Sequence, residues 1–125
     1  MTMPIGPSFI ALQVRDLAAS AAFYKNVFGF SAQERNPPGA VVFTTKPIAL
    51  ALREPLRPLA ESGPLGTGMV LWIACEDADA FHDQVVERGG TILSPVNDGP
   101  FGRFFVANDP DGYALTFHTA SARIA

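Results

Sequence analysis

The sequence predicts an α+β fold: two βαβββ modules in tandem whose sheets curve into a cup, with the helices outside. Three observations predict it. Eleven Pro and eleven Gly punctuate 125 residues, the pattern of short strands joined by tight turns. Two runs of strand-like alternation, Phe9–Val14 and Val70–Cys75, are each followed by an Asp and then by a stretch of helical period. The landmarks repeat at constant spacing: Phe9 to Val70, Asp16 to Asp77 and Gly29 to Gly90 are each 61 residues apart. That is an internal duplication. One domain over 1–125 is expected, with a first module at about 8–54, a connector at about 55–67 and a second module at about 68–119.

In the first strand, Phe9, Ala11 and Gln13 alternate with Ile10, Leu12 and Val14, giving one mixed and one aliphatic face. Asp16 is the expected N-cap of the first helix, its carboxylate available to the orphan amides of the first turn. Leu17, Ala21, Tyr24 and Phe28 then recur at helical spacing, and Gly29 fits the residue after the C-cap. Strand-like runs follow at Gly39–Thr45 and Pro47–Arg53, before a connector rich in Pro and Gly. The second half repeats this order. Val70, Trp72 and Ala74 alternate with Leu71, Ile73 and Cys75. Asp77 opens a helix with Phe81, Val85 and Arg88 along one stripe and a Gly89-Gly90 stop. Strands are expected at Thr91–Ser94, Gly102–Ala107 and Tyr113–Thr119. The aliphatic faces are expected to meet the helices. The mixed faces are expected to line the cup, and a concave apolar surface with a few polar groups suits a small molecule.

Composition narrows the partners. Nine Lys and Arg against twelve Asp and Glu give a net charge of −3 and a pI near 5.2, with no basic stripe for a nucleic-acid backbone. Apolar residues at 48% against 17% charged supply a core and argue against disorder. No apolar run approaches the roughly 18 residues of a membrane span, and MTMPIGPSFI has no secretory pattern. No nucleic acid, no membrane and a cytoplasmic location are expected. Cys75 has no second cysteine to pair with, and it reads as a small core residue.

Two motifs suggest chemistry on first sight. Asp109-Pro110-Asp111-Gly112 resembles a carboxylate pair, but Asp, Pro and Gly at those positions are the residues of a tight turn. Gly99-Pro100-Phe101-Gly102 precedes a strand rather than a helix, so it cannot cradle a phosphate. It reads as a loop beside the cup, from which Phe101 and Arg103 can reach a ligand. Of the two histidines, His82 reads as a surface residue on the second helix. His118 shares strand parity with Thr116 and can point into the cup.

VRDLAASAAFYKNVFGF in the first half and GRFFVANDPDGYALTF near the C-terminus resemble the vicinal oxygen chelate superfamily of glyoxalases, extradiol dioxygenases, fosfomycin-resistance enzymes and bleomycin-binding proteins. The resemblance implies the glyoxalase/bleomycin-resistance/dioxygenase-like fold over about Ser8 to Thr119. It also implies where metal ligands would stand, one on each of four strands. These positions fall on Phe9, Val70, Thr116 and Ala51, or Ala49 in the neighbouring register. Phe, Val and Ala have no donor atom, and one Thr hydroxyl is a poor ligand for Zn, Ni or Fe. No metal and no cofactor are expected.

Two functional classes remain. The first is a metal-free binder that sequesters an aromatic or antibiotic-like ligand. Phe9, Ala51, Val70, Trp72 and Phe101 would supply apolar wall, and Gln13, Arg53, Arg103, Thr116 and His118 the orienting polar contacts. The second is an enzyme of the same fold. It would be metal-independent with His118 as acid/base and Arg53 or Arg103 orienting an anion, or a metal-dependent lyase or dioxygenase. In either case the partners expected are a small hydrophobic or aromatic molecule and a second copy of the chain, since open sheet edges favour a homodimer.

Overall fold

Two aspartates start the two helices in the same way. The Asp16 carboxylate accepts from the Ala19 amide at 3.0 Å, and the Asp77 carboxylate accepts from the Ala80 amide at 3.2 Å. Each aspartate has extended backbone angles, as an N-cap requires. In the computed structural model, which describes residues 2–120, nine elements follow in order. They are β1 (Phe9–Gln13), α1 (Leu17–Asn26), β2 (Ala40–Val42), β3 (Ala49–Arg53), β4 (Leu71–Cys75), α2 (Ala78–Glu87), β5 (Thr91–Asn97), β6 (Phe104–Asn108) and β7 (Ala114–Thr119). The chain divides into two compact units, Met1–Leu59 and Ala60–Ala125. The α+β class and the tandem modules are as expected.

The first unit holds a three-stranded sheet in the order β1-β3-β2, with β1 parallel to β3 and β2 antiparallel to it. Leu12, Val14, Leu50 and Leu52 are buried, as is Tyr24 of α1. The Tyr24 ring stacks on Phe43 at 5.7 Å and on Phe30 at 5.9 Å, and Phe28 meets it edge-on at 5.2 Å. This aromatic set is the heart of the unit's core. The module is leaner than the βαβββ order expected of it. Between α1 and β2 the chain makes only an isolated bridge, Ala32 to Phe43, in place of a strand. The Asn36 side chain takes the Val42 amide at 2.8 Å, so a side chain occupies a donor that a neighbouring strand would use. The run expected from Pro47 begins at Ala49. The Thr45 hydroxyl donates to the Ile48 carbonyl and accepts from the Leu50 amide, both at 2.8 Å, and so closes a turn there.

The second unit holds a four-stranded sheet in the order β4-β7-β6-β5, with β4 parallel to β7. Phe105, Ala107, Leu115 and Phe117 are buried on its helix side, where Phe81 of α2 packs on Phe117 at 4.9 Å and on Phe105 at 5.9 Å. The Thr119 hydroxyl at the end of β7 accepts from the Ala78 amide at 2.8 Å, satisfying one orphan donor of α2. The helix stop falls within the expected Gly89-Gly90 pair, though the left-handed residues of the two modules are 60 apart, one less than the Gly29-to-Gly90 landmark. The left-handed glycine is Gly89 (φ 88°), not Gly90, whereas the first helix is followed by Gly29 (φ 80°).

The turn from β6 to β7 is the structural device the sequence suggests. The buried Asp109 carboxylate accepts from the Asp111 amide at 2.8 Å and the Tyr113 amide at 2.9 Å, and the Gly112 amide donates to the Asp109 carbonyl. Gly112 sits at φ 84°. The Asp109 carboxylate thus closes the turn on backbone amides, the structural use expected of this motif. No helix among the described residues is long and apolar enough to cross a membrane.

Candidate functional site

Strand pairing tests the duplication at the level of side chains. Ala11 pairs with Ala51 in the first sheet, and Trp72 pairs with Thr116 in the second. Ala11 and Trp72 are 61 residues apart, so Ala51 and Thr116 are equivalent positions, which selects Ala51 over Ala49. One step along, Gln13 pairs with Arg53 and Ala74 pairs with His118. The two modules therefore carry matched faces with different contents.

In the first unit, Phe9, Gln13, Ala51 and Arg53 share the mixed face of the sheet. Phe9 is 62% exposed and Ala51 is buried. The Gln13 side-chain carbonyl accepts from the Leu56 amide at 2.7 Å, and Arg53 Nε donates to the Glu54 carbonyl at 3.0 Å. Both polar groups thus hold the chain that leaves β3.

The second unit concentrates aromatic rings. Trp72, Thr116, His118, Val106 and Phe104 lie on one face by register, with Val70 just ahead of β4. Around Trp72 stand Phe101 edge-on at 5.4 Å, Phe104 tilted at 5.5 Å and His118 edge-on at 5.4 Å. Trp72 keeps 39% of its surface exposed, Phe101 47% and the aliphatic Val70 69%. Beneath them Thr116 and His118 are buried. The His118 Nδ1 lies 2.7 Å from the Phe101 carbonyl oxygen. A carbonyl can only accept, so Nδ1 carries the hydrogen, and in the neutral ring the lone pair is on Nε2.

Arg103 departs from its expected place beside the ligand. Its Nε and Nη2 donate to the two carboxylate oxygens of Asp79 at 3.0 and 2.9 Å, and Nη1 donates to Asp98 at 3.2 Å. Strand parity puts it on the side of α2, away from Trp72. The guanidinium holds the Asp79 carboxyl below the usual carboxylate range, chiefly through this hydrogen bonding, and is itself held more firmly protonated. Phe104, by contrast, is a member of the aromatic cluster that sequence reasoning missed. Its parity with Val106 and its strand's pairing to His118 were the available signals. His82 lies at 3.0 Å from Asp83 and packs edge-on against Phe105 at 5.3 Å, outside this face.

Cys75 lies on the helix side of β4, its thiol donating to the His118 carbonyl at 3.4 Å. Burial pushes it up to about 11 from an ordinary 9.0, against a smaller lowering by the Asp77 backbone. A raised acid favours folding while protonated, so this contribution is fully present below about pH 9 and fades toward 11. Because the thiolate is the reacting form, labelling at pH 8 is expected to run about 100-fold slower in the native than in the unfolded chain. Equal rates in a disulfide-reagent assay would contradict it.

The implied metal positions do not fit an ion. Phe9, Ala51 and Val70 offer no donor, and Thr116 offers one hydroxyl. Among the described residues no three His, Cys, Asp or Glu converge on a point.

A duplicated βαβ-type module with this helix start and this DPDG turn defines a class, and comparison with known families gives it a name. A model of the Glyoxalase/Bleomycin resistance protein/Dioxygenase superfamily matches residues 6–117, and the chain belongs to that superfamily. CFP32 of Mycobacterium bovis (strain ATCC BAA-935 / AF2122/97), provisionally described as a glyoxylase, is 32% identical over 125 residues, 94% of this chain and 47% of its own length. The anthracycline biosynthesis protein DauV of Streptomyces sp. (strain C5) is 33% identical over 126 residues, 90% of this chain and 46% of its own. The chain spans about half the length of these relatives. The crystal structure of TnmS3, an antibiotic binding protein from Streptomyces sp. CB03234, matches with a TM-score of 0.72 at 21% identity, covering 96% of this chain and all of that one. At that identity the likeness is one of fold.

Proposed function

We propose that the chain binds a flat, largely uncharged aromatic molecule, without a metal, against the Trp72 face of the second module. The observation that carries this reading is the exposed pair Trp72 and Phe101, set at right angles over a buried Thr116 and His118. Edge-to-face rings offer a planar ligand one stacking surface and one wall, and Thr116 and His118 are the polar groups within the same face. The cation expected there, Arg103, is committed to Asp79 and Asp98, which favours a neutral ligand over an anion. DauV is an anthracycline biosynthesis protein, and an anthracycline is a polycyclic aromatic compound of the kind that can stack on such a face; TnmS3, alike in fold, is an antibiotic binding protein. Pairing with a second copy belongs to this reading, because β1 and β4 each have one hydrogen-bonding edge without a strand in their own sheets.

One observation favours a second reading. The Nδ1 hydrogen bond orients the His118 ring and leaves Nε2 as a base, the arrangement of a metal-independent acid/base catalyst.

The test is a titration of EDTA-treated protein with a tetracyclic anthracycline aglycone, following Trp72 emission, with mass spectrometry of the recovered compound. Saturable quenching with the compound unchanged supports the binder. Chemical conversion supports the catalyst. Binding that appears only after Zn or Ni is added would overturn the metal-free assignment.

A further inference from the structure

We infer that His118 is a positioning residue: its ring N–H holds the 98–103 loop down so that Phe101 stands as a fixed wall beside Trp72. The loop has little of its own to hold it in that place. It contains two glycines and a proline, and its one internal backbone bond runs from the Gly102 amide to the Gly99 carbonyl at 3.3 Å. Phe101 at its tip is 47% exposed and so gains little by burial. Groups from the sheet and the helix tie it instead. At its base the Arg103 carbonyl accepts from the Thr119 amide at 2.9 Å, while the Arg103 side chain reaches Asp79 of α2 and closes the loop on its own Asp98, both exposed pairs that solvent weakens. His118 takes the Phe101 carbonyl at 2.7 Å from a buried position, where a hydrogen bond is worth more.

The two glycines fit this fastening. A Cβ on Gly99 would meet the Phe104 ring at 2.6 Å, and one on Gly102, at φ 99°, would meet the Thr119 carbonyl. The loop backbone therefore lies directly on the sheet on both sides of Phe101, within reach of a short imidazole. Because Phe101 meets Trp72 edge-on, moving the loop removes one wall of the aromatic face and uncovers the indole.

The inference rests on the proposed binding face for its affinity readout but not for its spectroscopic one. His118→Phe keeps a ring against Trp72 and loses the donor. His118→Asn keeps a donor near the Nδ1 position and loses the ring. Phe101→Ala removes the wall itself. In ligand-free protein, Trp72 emission is expected to shift to longer wavelength in His118→Phe and in Phe101→Ala, with no further shift in the double variant and a near-native spectrum in His118→Asn. A His118→Phe spectrum like the native one, or shifts that add in the double variant, would overturn the inference, because the two residues then act separately.

With a dihydroxyanthraquinone probe, the dissociation constant is expected to rise at least tenfold in each of His118→Phe and Phe101→Ala, again without addition. If the native protein shows no response to the probe, the binding reading fails while the emission spectra still judge His118. Should His118→Phe fail to fold, nitrogen NMR of the native imidazole decides. A neutral ring protonated at Nδ1 supports the fastening, and one protonated at Nε2 overturns it.

Discussion

Replacing Phe105 by alanine is expected to cost about 3–5 kcal/mol of folding stability, the range for an aromatic ring lost from a filled core. Phe105 has no exposed surface and sits on β6 in the interior of its sheet. Its ring stacks on Phe117 at 5.5 Å and touches Phe81 and His82, so the vacancy would open where strand and helix meet. Backbone pairing to strands on both sides prevents the sheet from collapsing into the space. Thermal unfolding is the measurement, with a midpoint lower by roughly 10–20 °C. A shift of only a few degrees would show that the second module's core is looser than its burial indicates.

Trp72→Ala should behave in the opposite way. The loss of stability is expected to stay near 1–2 kcal/mol, because Trp72 is already 39% exposed and lies on β4, at the edge of its sheet. The loss of affinity for an anthracycline aglycone should be about 1–3 kcal/mol, or roughly 5- to 150-fold, the scale of an anchoring aromatic at a site centre. Since the variant lacks the only tryptophan, the titration must follow the compound's own emission. Unchanged affinity together with a stability loss as large as that of Phe105→Ala would mean that Trp72 is core and that the ligand face lies elsewhere.

The face that Trp72 takes is legible in the sequence, through strand parity. Alternation assigns Leu71, Ile73 and Cys75 to one face and Trp72 and Ala74 to the other, because successive side chains on a strand point oppositely whatever the strand packs against. The Asp16 and Asp77 caps and the DPDG turn are legible for a related reason. Each is a short-range contact, closed within four residues by groups adjacent in the chain. The duplication carries further than the landmarks that define it: Ala11 and Trp72, 61 residues apart, take equivalent partners, Ala51 and Thr116, although those two are 65 apart in the chain.

Other features cannot be read that way. The sequence places Arg103 beside a ligand because it follows the Phe101 loop. Its partner Asp79 lies 24 residues earlier, and only the packing of α2 on the sheet brings the two within 3.0 Å. The reduced strand in the first module depends on Asn36, whose side chain takes a backbone donor that the hydrophobic pattern alone would leave for a strand.

The sequence by itself determined the duplication, the helix starts, the turn chemistry, the two faces of each strand and the lack of metal donors at Phe9, Ala51 and Val70. All of these follow from residue type and local period. Tertiary structure alone decided which rings gather around Trp72, that His118 holds the Phe101 carbonyl, and that Arg103 belongs to the helix side. Each of those contacts joins residues from 17 to 46 positions apart, and such distances close only when the sheet register is set by the burial of its other face.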